Sequence, residues 1–306
     1  MPQFESGMPS AVSVYEVGPR DGLQAEAEPV PTSVKAEFCR RLVDAGVESL
    51  ELTSFVSPKW IPQLADAEDL MSTLTLPGSV RQVVLAPNQR GLERALAAGA
   101  REIAVFVSAT ETFATKNLGT TVQGALDSAR PVVEGALASG LPVRGYISMC
   151  FGDPWEGHVD VEQVADVAVR LAELGTTSLS LGDTIGVATP GHVHSVLDAV
   201  LGSGITVDSV AMHFHDTYGQ ALANVYASLQ AGVTEFDSSA GGLGRCPYAK
   251  GATGNLATED LLWMLHGMGI DTGIDLDLLV DTSLWMAEQI GRPSPSAVVT
   301  ALAAAR

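Results

Sequence analysis

Eight times along the chain, a short β-branched run stops at Gly, Pro, Asn, Asp or Ser and gives way to a longer segment of helical period. The runs are Val12–Val17, Val47–Leu52, Val80–Leu85, Glu102–Ser108, Val143–Cys150, Thr177–Leu181, Ser209–Phe214 and Glu235–Ser238. Between them lie segments such as Val34–Ala45, Gln89–Ala98, Val122–Ala138, Val161–Leu174, Pro190–Leu201 and Gln220–Gln230. Repeated β-then-α alternation requires a parallel sheet, because each crossover carries the chain back to the same end. Eight such units in roughly 250 residues fit a closed barrel better than an open doubly wound sheet. No G-x-G-x-x-G follows the first run, which weakens a dinucleotide-binding alternative. The expected fold class is therefore α/β, a (β/α)8 TIM barrel over about 12–273. Extra C-terminal helices are expected over about 274–306, and the whole of 1–306 is expected to be a single domain.

Charge narrows the partners. A formal net charge of −19 argues against nucleic acid, since phosphate backbones demand basic surface. An anionic ligand would have to be met by a local cluster drawn from only 17 Lys and Arg. No apolar run of about 18 residues is present, so no membrane association is expected. The start, MPQFESGMPS, lacks the basic and apolar regions of a secretory signal. Cys39, Cys150 and Cys246 are an odd, scattered set that suggests no disulfide framework and points to a reducing cytoplasm.

In a barrel of this kind the chemistry sits at the C-terminal ends of the strands. Polar residues do gather there. Arg20-Asp21 follow the first run and Glu51 ends the second. Arg144 and Tyr146 lie in the fifth, Asp183 follows the sixth in SLGDT, and His213 and His215 end the seventh in AMHFHD. Residues two apart on a strand share a face, so both imidazoles can reach one ion. The chain carries its own control in His192 and His194. That pair follows Thr189-Pro190, a helix-start signature, and i,i+2 residues on a helix do not face each other. An isolated strand H-x-H is equally a buried hydrogen-bonding pair. Asp21 across the barrel mouth tips the reading toward a metal. Imidazole with carboxylate and amide oxygens favours Mg2+ or Mn2+, although the ligand types also admit Zn2+.

After the eighth run comes GGLGRCPYAKGATGN, Gly241 to Asn255. Glycine-rich loops often only turn corners, but one of this length in a compact domain is usually functional. Arg245 beside Cys246 would favour the thiolate, and a lid delivering that thiol to the mouth is the functional reading. Cys39 reads as core, and Cys150 stays open between core and mouth. Glu51 is divided between a capped loop anion and a general-base or orienting role, and Asp183 and Arg144 between structural ion pairs and the site.

EVGPRDGLQ, ELTSFVSPKWIPQLAD, GYIS, SLGDTIGVATPG, HFHDTYGQALAN and GGLGRCPYAKGATGNLATEDL resemble the 3-hydroxy-3-methylglutaryl-CoA lyases, from about Val12 to Leu276. That family belongs to a larger group of metal-dependent lyases and Claisen-type synthases sharing an RDG-type barrel. The resemblance implies retro-Claisen cleavage of 3-hydroxy-3-methylglutaryl-CoA to acetyl-CoA and acetoacetate. The alternatives are a bulkier 3-hydroxy-3-alkylglutaryl-CoA, or a synthase condensing acetyl-CoA with a 2-oxo acid. It implies Asp21, His213, His215 and Asn255 as ligands of a divalent ion, Mg2+ or Mn2+. Arg20 becomes the group that stabilises the enolate, Cys246 the loop cysteine and Glu51 the active-site glutamate. The base stays open among His213, Glu51, Asp21 and a water on the ion. Asp183, Glu259, Arg144 and Tyr146 are expected to support the site. Gln24, Ser54, Lys59 and Lys116 are candidate contacts of an acyl-CoA substrate, and a homodimer is expected. Arg20 and Asp21 are thus read as serving different partners rather than as a salt bridge. The sequence departs from the family at FGDPWEG after the fifth strand, through Asp153 and Trp155, and at Arg245.

Overall fold

The computed structural model describes residues 7–244 and 254–305. The eight runs form β1 (Ser13–Glu16), β2 (Ser49–Ser54), β3 (Arg81–Leu85), β4 (Glu102–Ser108), β5 (Val143–Ser148), β6 (Ser178–Asp183), β7 (Val210–Phe214) and β8 (Glu235–Ser238). All pair in parallel and in sequence order. The β1–β8 register, from Ser13↔Glu235 to Glu16↔Ser238, closes the barrel. The surrounding helices are α1 (Thr32–Asp44), α2 (Ala67–Thr73), α3 (Gln89–Ala97), the one-turn α4 (Glu111–Phe113), α5 (Val122–Ala138), α6 (Val161–Leu174), α7 (Pro190–Gly202), α8 (Ala221–Gln230) and α9 (Thr258–Gly267). The tail supplies α10 (Leu276–Ile290) and α11 (Ala297–Ala304). None of the described helices is long and apolar enough to cross a membrane.

Local chemistry sets the element ends. Asn88, Thr121 and Asp160 accept hydrogen bonds from the first-turn N–H groups of Gly91, Gly124 and Glu162, satisfying donors that α3, α5 and α6 would otherwise leave open. β5 stops at Ser148, two residues short of the expected end at Cys150. Met149 adopts φ 61°, a left-handed conformation costly for a side chain, and its N–H goes to the Thr184 hydroxyl at 3.0 Å. On β2 the register against β3 shifts between Glu51 and Thr53, a bulge beside the residue of most chemical interest in that strand.

The outward strand faces pack Leu50, Leu52, Ile103, Val105, Leu179, Leu181 and Phe236 against the helices. The interior is more polar than the branched aliphatic filling usual for this barrel. Tyr15, Val17, Val83, Ala104 and Tyr146 form a small apolar cluster there. Beneath it Arg81 pairs with Glu102 and Glu235, while Arg144 pairs with Glu235 and Asp237. The fully buried Arg144 guanidinium also stacks 4.1 Å from the Tyr15 ring centroid. A buried charge without partners costs several kcal/mol, so this network is what makes a guanidinium tolerable inside the barrel.

The C-terminal helices grip the β8 end. Ser294 donates to the Gly241 carbonyl at 2.7 Å, and Ser283 on α10 donates to the buried Glu259 at the start of α9.

Candidate active site

β1 leads into a five-residue π-type turn, Gly18–Gly22, that projects Arg20 and Asp21. Glu16, fully buried at the strand end, accepts from Gly18 N–H (2.8 Å), Ala240 N–H (2.9 Å) and the Thr258 hydroxyl (2.7 Å). It thereby ties this turn to the loop after β8, and burial lifts its carboxyl to about 7. The glycines are required by close approach. A Cβ on Gly18 would lie 2.5 Å from Glu16 Oε1, and one on Gly22 would lie 2.7 Å from Leu243 Cβ.

The expectation that Arg20 and Asp21 do not pair with each other is corrected. Arg20 Nη1 donates to Asp21 Oδ1 at 2.9 Å and its Nε to Glu51 Oε2 at 2.6 Å. The paired planar groups hold the guanidinium above the Tyr146 ring, 5.7 Å from its centroid. Two functions coexist, because Asp21 turns its second oxygen to Asn255 Nδ2 at 2.9 Å. Burial would raise the Asp21 carboxyl, but Arg20 and the two imidazoles pull it down to about 2. Glu51 is completely buried and its carboxyl is raised by burial against the pull of Arg20. Its other oxygen has no hydrogen-bond partner among the described residues.

Across the mouth, His213 is the penultimate residue of β7 and His215 lies just beyond the strand, bridged to Asn255. Their ring centroids are 5.2 Å apart. Ligand-capable atoms of Asp21, His213 and His215 all lie within 4.8 Å of one another. The control pair, His192 and His194, sits exposed on α7. Burial and the neighbouring His213 lower the His215 pKa to about 3, so the ring is neutral and keeps a lone pair. Its Nδ1 and the Oδ1 of Asn255 are buried without a partner among the described residues. Two orphaned acceptors converging with a carboxylate and a second imidazole suit a divalent cation, which would satisfy all of them.

Arg20, Asp21, His213 and His215 line a cavity of about 460 Å3 at the C-terminal end of the barrel. Gln24, Ser54, Tyr146, Ser148 and Ser180 share its polar side, and Val56, Ile61, Leu85, Phe106, Phe113 and Leu118 form an apolar wall.

Other expected residues are placed apart. Glu51 and Arg144 lie beneath the cavity rather than on its wall, each bonded to groups that do reach it or support those that do. Asp183 caps the following turn through Val187 and Ala188 N–H, with burial raising its carboxyl to about 6. Glu259 takes the Gly241 N–H and the Ser283 hydroxyl. Lys59 is exposed and off the cavity wall. Lys116, also exposed, is held 5.1 Å from the Trp155 ring centroid. Cys246 and Arg245 lie outside the described residues. Cys150 resolves as core: it is buried, its thiol is pushed up to about 12 by burial, and it donates to the Ile147 carbonyl.

Sequence reasoning missed Asp237. This buried β8 residue meets His213 Nδ1 at 3.2 Å and the Ser180 hydroxyl at 2.8 Å while paired with Arg144. The available signal was its place two residues after Glu235, on the strand face that points inward.

A family model described as HMGL-like matches residues 11–285. Among curated proteins, the mitochondrial hydroxymethylglutaryl-CoA lyase of Arabidopsis thaliana is 48% identical over 98% of this chain, which spans 64% of that protein's length. The crystal structure of hydroxymethylglutaryl-CoA lyase from Pseudomonas aeruginosa superposes with a TM-score of 0.96 at 45% identity, covering 98% of this chain and 100% of that one. An HMG-CoA lyase from Acinetobacter baumannii in complex with coenzyme A and 3-methylmalate gives 0.91 at 36% identity, covering 98% and 97%.

Proposed function

The chain belongs to the HMGL-like family, and we propose that it cleaves 3-hydroxy-3-methylglutaryl-CoA to acetyl-CoA and acetoacetate. The observation that carries this reading is the meeting of Asp21, His213, His215 and Asn255 with Arg20 at one barrel mouth. The homologues named above supply the substrate, and the synthase alternative has no observation in its favour.

Asp21, His213, His215 and Asn255 would hold a divalent cation, Mg2+ or Mn2+. When bound, the cation supplies Lewis-acid polarisation of the substrate's hydroxyl and carboxylate oxygens. Arg20 faces the thioester oxygen, whose negative charge grows as the carbon–carbon bond breaks to the ketone and the enolate. A guanidinium already fixed by Glu51 and Asp21 needs no reorganisation at that moment. Glu51 acts through Arg20, since it lies off the cavity wall. Asp21, with its carboxyl near 2, serves as a ligand and not as the base. The C3 hydroxyl proton is left to water at the mouth beside His213, whose two ring nitrogens are committed to the cation site and to Asp237. The apolar wall from Phe106 to Leu118 receives the 3-methyl group and excludes water from the enolate. Cys246 is assigned from its motif as the proton donor to the enolate carbon. Gln24 and Ser54, both on the wall, orient the acyl portion.

The test is turnover of the purified protein on 3-hydroxy-3-methylglutaryl-CoA with added Mg2+ or Mn2+, quantifying both products. Metal-stimulated, equimolar acetyl-CoA and acetoacetate are expected. Release of free CoA from acetyl-CoA plus 2-oxo acids, without cleavage, would overturn the assignment.

A further inference from the structure

The two imidazoles of the site are not held alike. Among the described residues His215 Nδ1 is buried without a partner, whereas His213 Nδ1 faces Asp237 Oδ2 at 3.2 Å. Asp237 has no solvent exposure of its side chain, and neither does the Arg144 guanidinium bonded to its other oxygen. Its Oδ2 also accepts from the Ser180 hydroxyl at 2.8 Å. Arg144 is fixed in turn by Glu235 and by the Tyr15 ring face. Glu235 is shared with Arg81, which pairs with Glu102. A file of ion pairs thus runs from the barrel base up to one imidazole at the mouth. A carboxylate paired in this way can only accept, so the proton of a neutral His213 must sit on Nδ1. The Nε2 lone pair is then the one presented toward Asp21 and His215.

We propose that Asp237, anchored by Arg144, is a positioning residue that fixes the tautomer and ring orientation of His213 so that Nε2 is its metal-facing atom. Carboxylate partners of this kind orient ligand histidines, and losing one typically weakens metal binding about 10–100-fold. The inference rests on the proposed cation site, but the tautomer itself is a property of the protein alone.

The experiment therefore has two readouts. Long-range 1H–15N spectra of the full-length, 15N-histidine-labelled protein without added metal report each ring's tautomer, with His213 assigned by its loss in His213→Gln. The expected result is the Nδ1–H form for His213. An Nε2–H form would overturn the proposal, and this measurement needs no variant at Asp237. Mn2+ binding to Asp237→Asn, followed by electron paramagnetic resonance, is expected to be at least tenfold weaker than in the unaltered protein. Unchanged affinity together with an unchanged His213 spectrum would also overturn it. Absence of Mn2+ binding by the unaltered protein would refute the cation reading, while the tautomer spectrum would still decide the role of Asp237.

Discussion

Glu259 offers a prediction whose sign and size follow directly from its surroundings. It is fully buried, and its hydrogen-bond partners are neutral: the Gly241 N–H, at 3.1 and 2.9 Å to its two oxygens, and the Ser283 hydroxyl. Burial therefore dominates and lifts the carboxyl from 4.5 to about 8. The folded protein keeps a proton that the unfolded chain has already released. The associated stability is complete below about pH 4.5 and is lost as pH rises through about 8. One pH unit inside that window is worth about 1.4 kcal/mol, so the whole interval is on the order of 5 kcal/mol. Glu259→Gln mimics the protonated acid and has no proton to lose. Urea unfolding followed by far-UV circular dichroism, at pH 5, 6.5 and 8, should show the variant gaining on the parent protein by several kcal/mol across the series. Parallel stability–pH curves for the two proteins would refute the reasoning.

His215→Ala and Asp21→Ala should each abolish Mn2+ binding and lower kcat by at least about 100-fold; isothermal calorimetry and steady-state kinetics check both. Arg20→Gln should cost about 10^2–10^3 in kcat, with KM much less affected, since the lost interaction strengthens only as charge develops. Arg144→Met leaves Asp237 buried without its cation, and a loss of about 3–5 kcal/mol is expected in urea titrations. Cys246→Ala should retain the parent's metal affinity and lose orders of magnitude in acetyl-CoA release; full activity would remove the cysteine from the mechanism.

What the sequence disclosed followed from short-range rules. Glu235–Ser238 was readable to the residue because its limits are marked by local composition, and His213 and His215 because strand period two puts both on one face. The end of β5 was missed because Met149 takes a left-handed conformation that no local signal announces. Asp237 escaped notice because its partners, Arg144 and His213, come from strands 93 and 24 residues away and meet it only when the barrel closes. Asp183 and Glu259, equally chemical in sequence, instead accept from backbone N–H groups, Asp183 within its own turn and Glu259 from the loop after β8. Carboxylates look identical in a sequence; which of them meets a cation and which caps a turn is decided by packing.

The charged lattice under Tyr15 has a consequence for traffic. Arg81, Glu102, Glu235 and Arg144 cork the N-terminal end of the barrel with bonded side chains. Among the described residues the reaction chamber is a dead end, with the mouth as its doorway. Substrate and both products must use that doorway in turn, so a fragment formed at the bottom leaves only after whatever stands above it has made way.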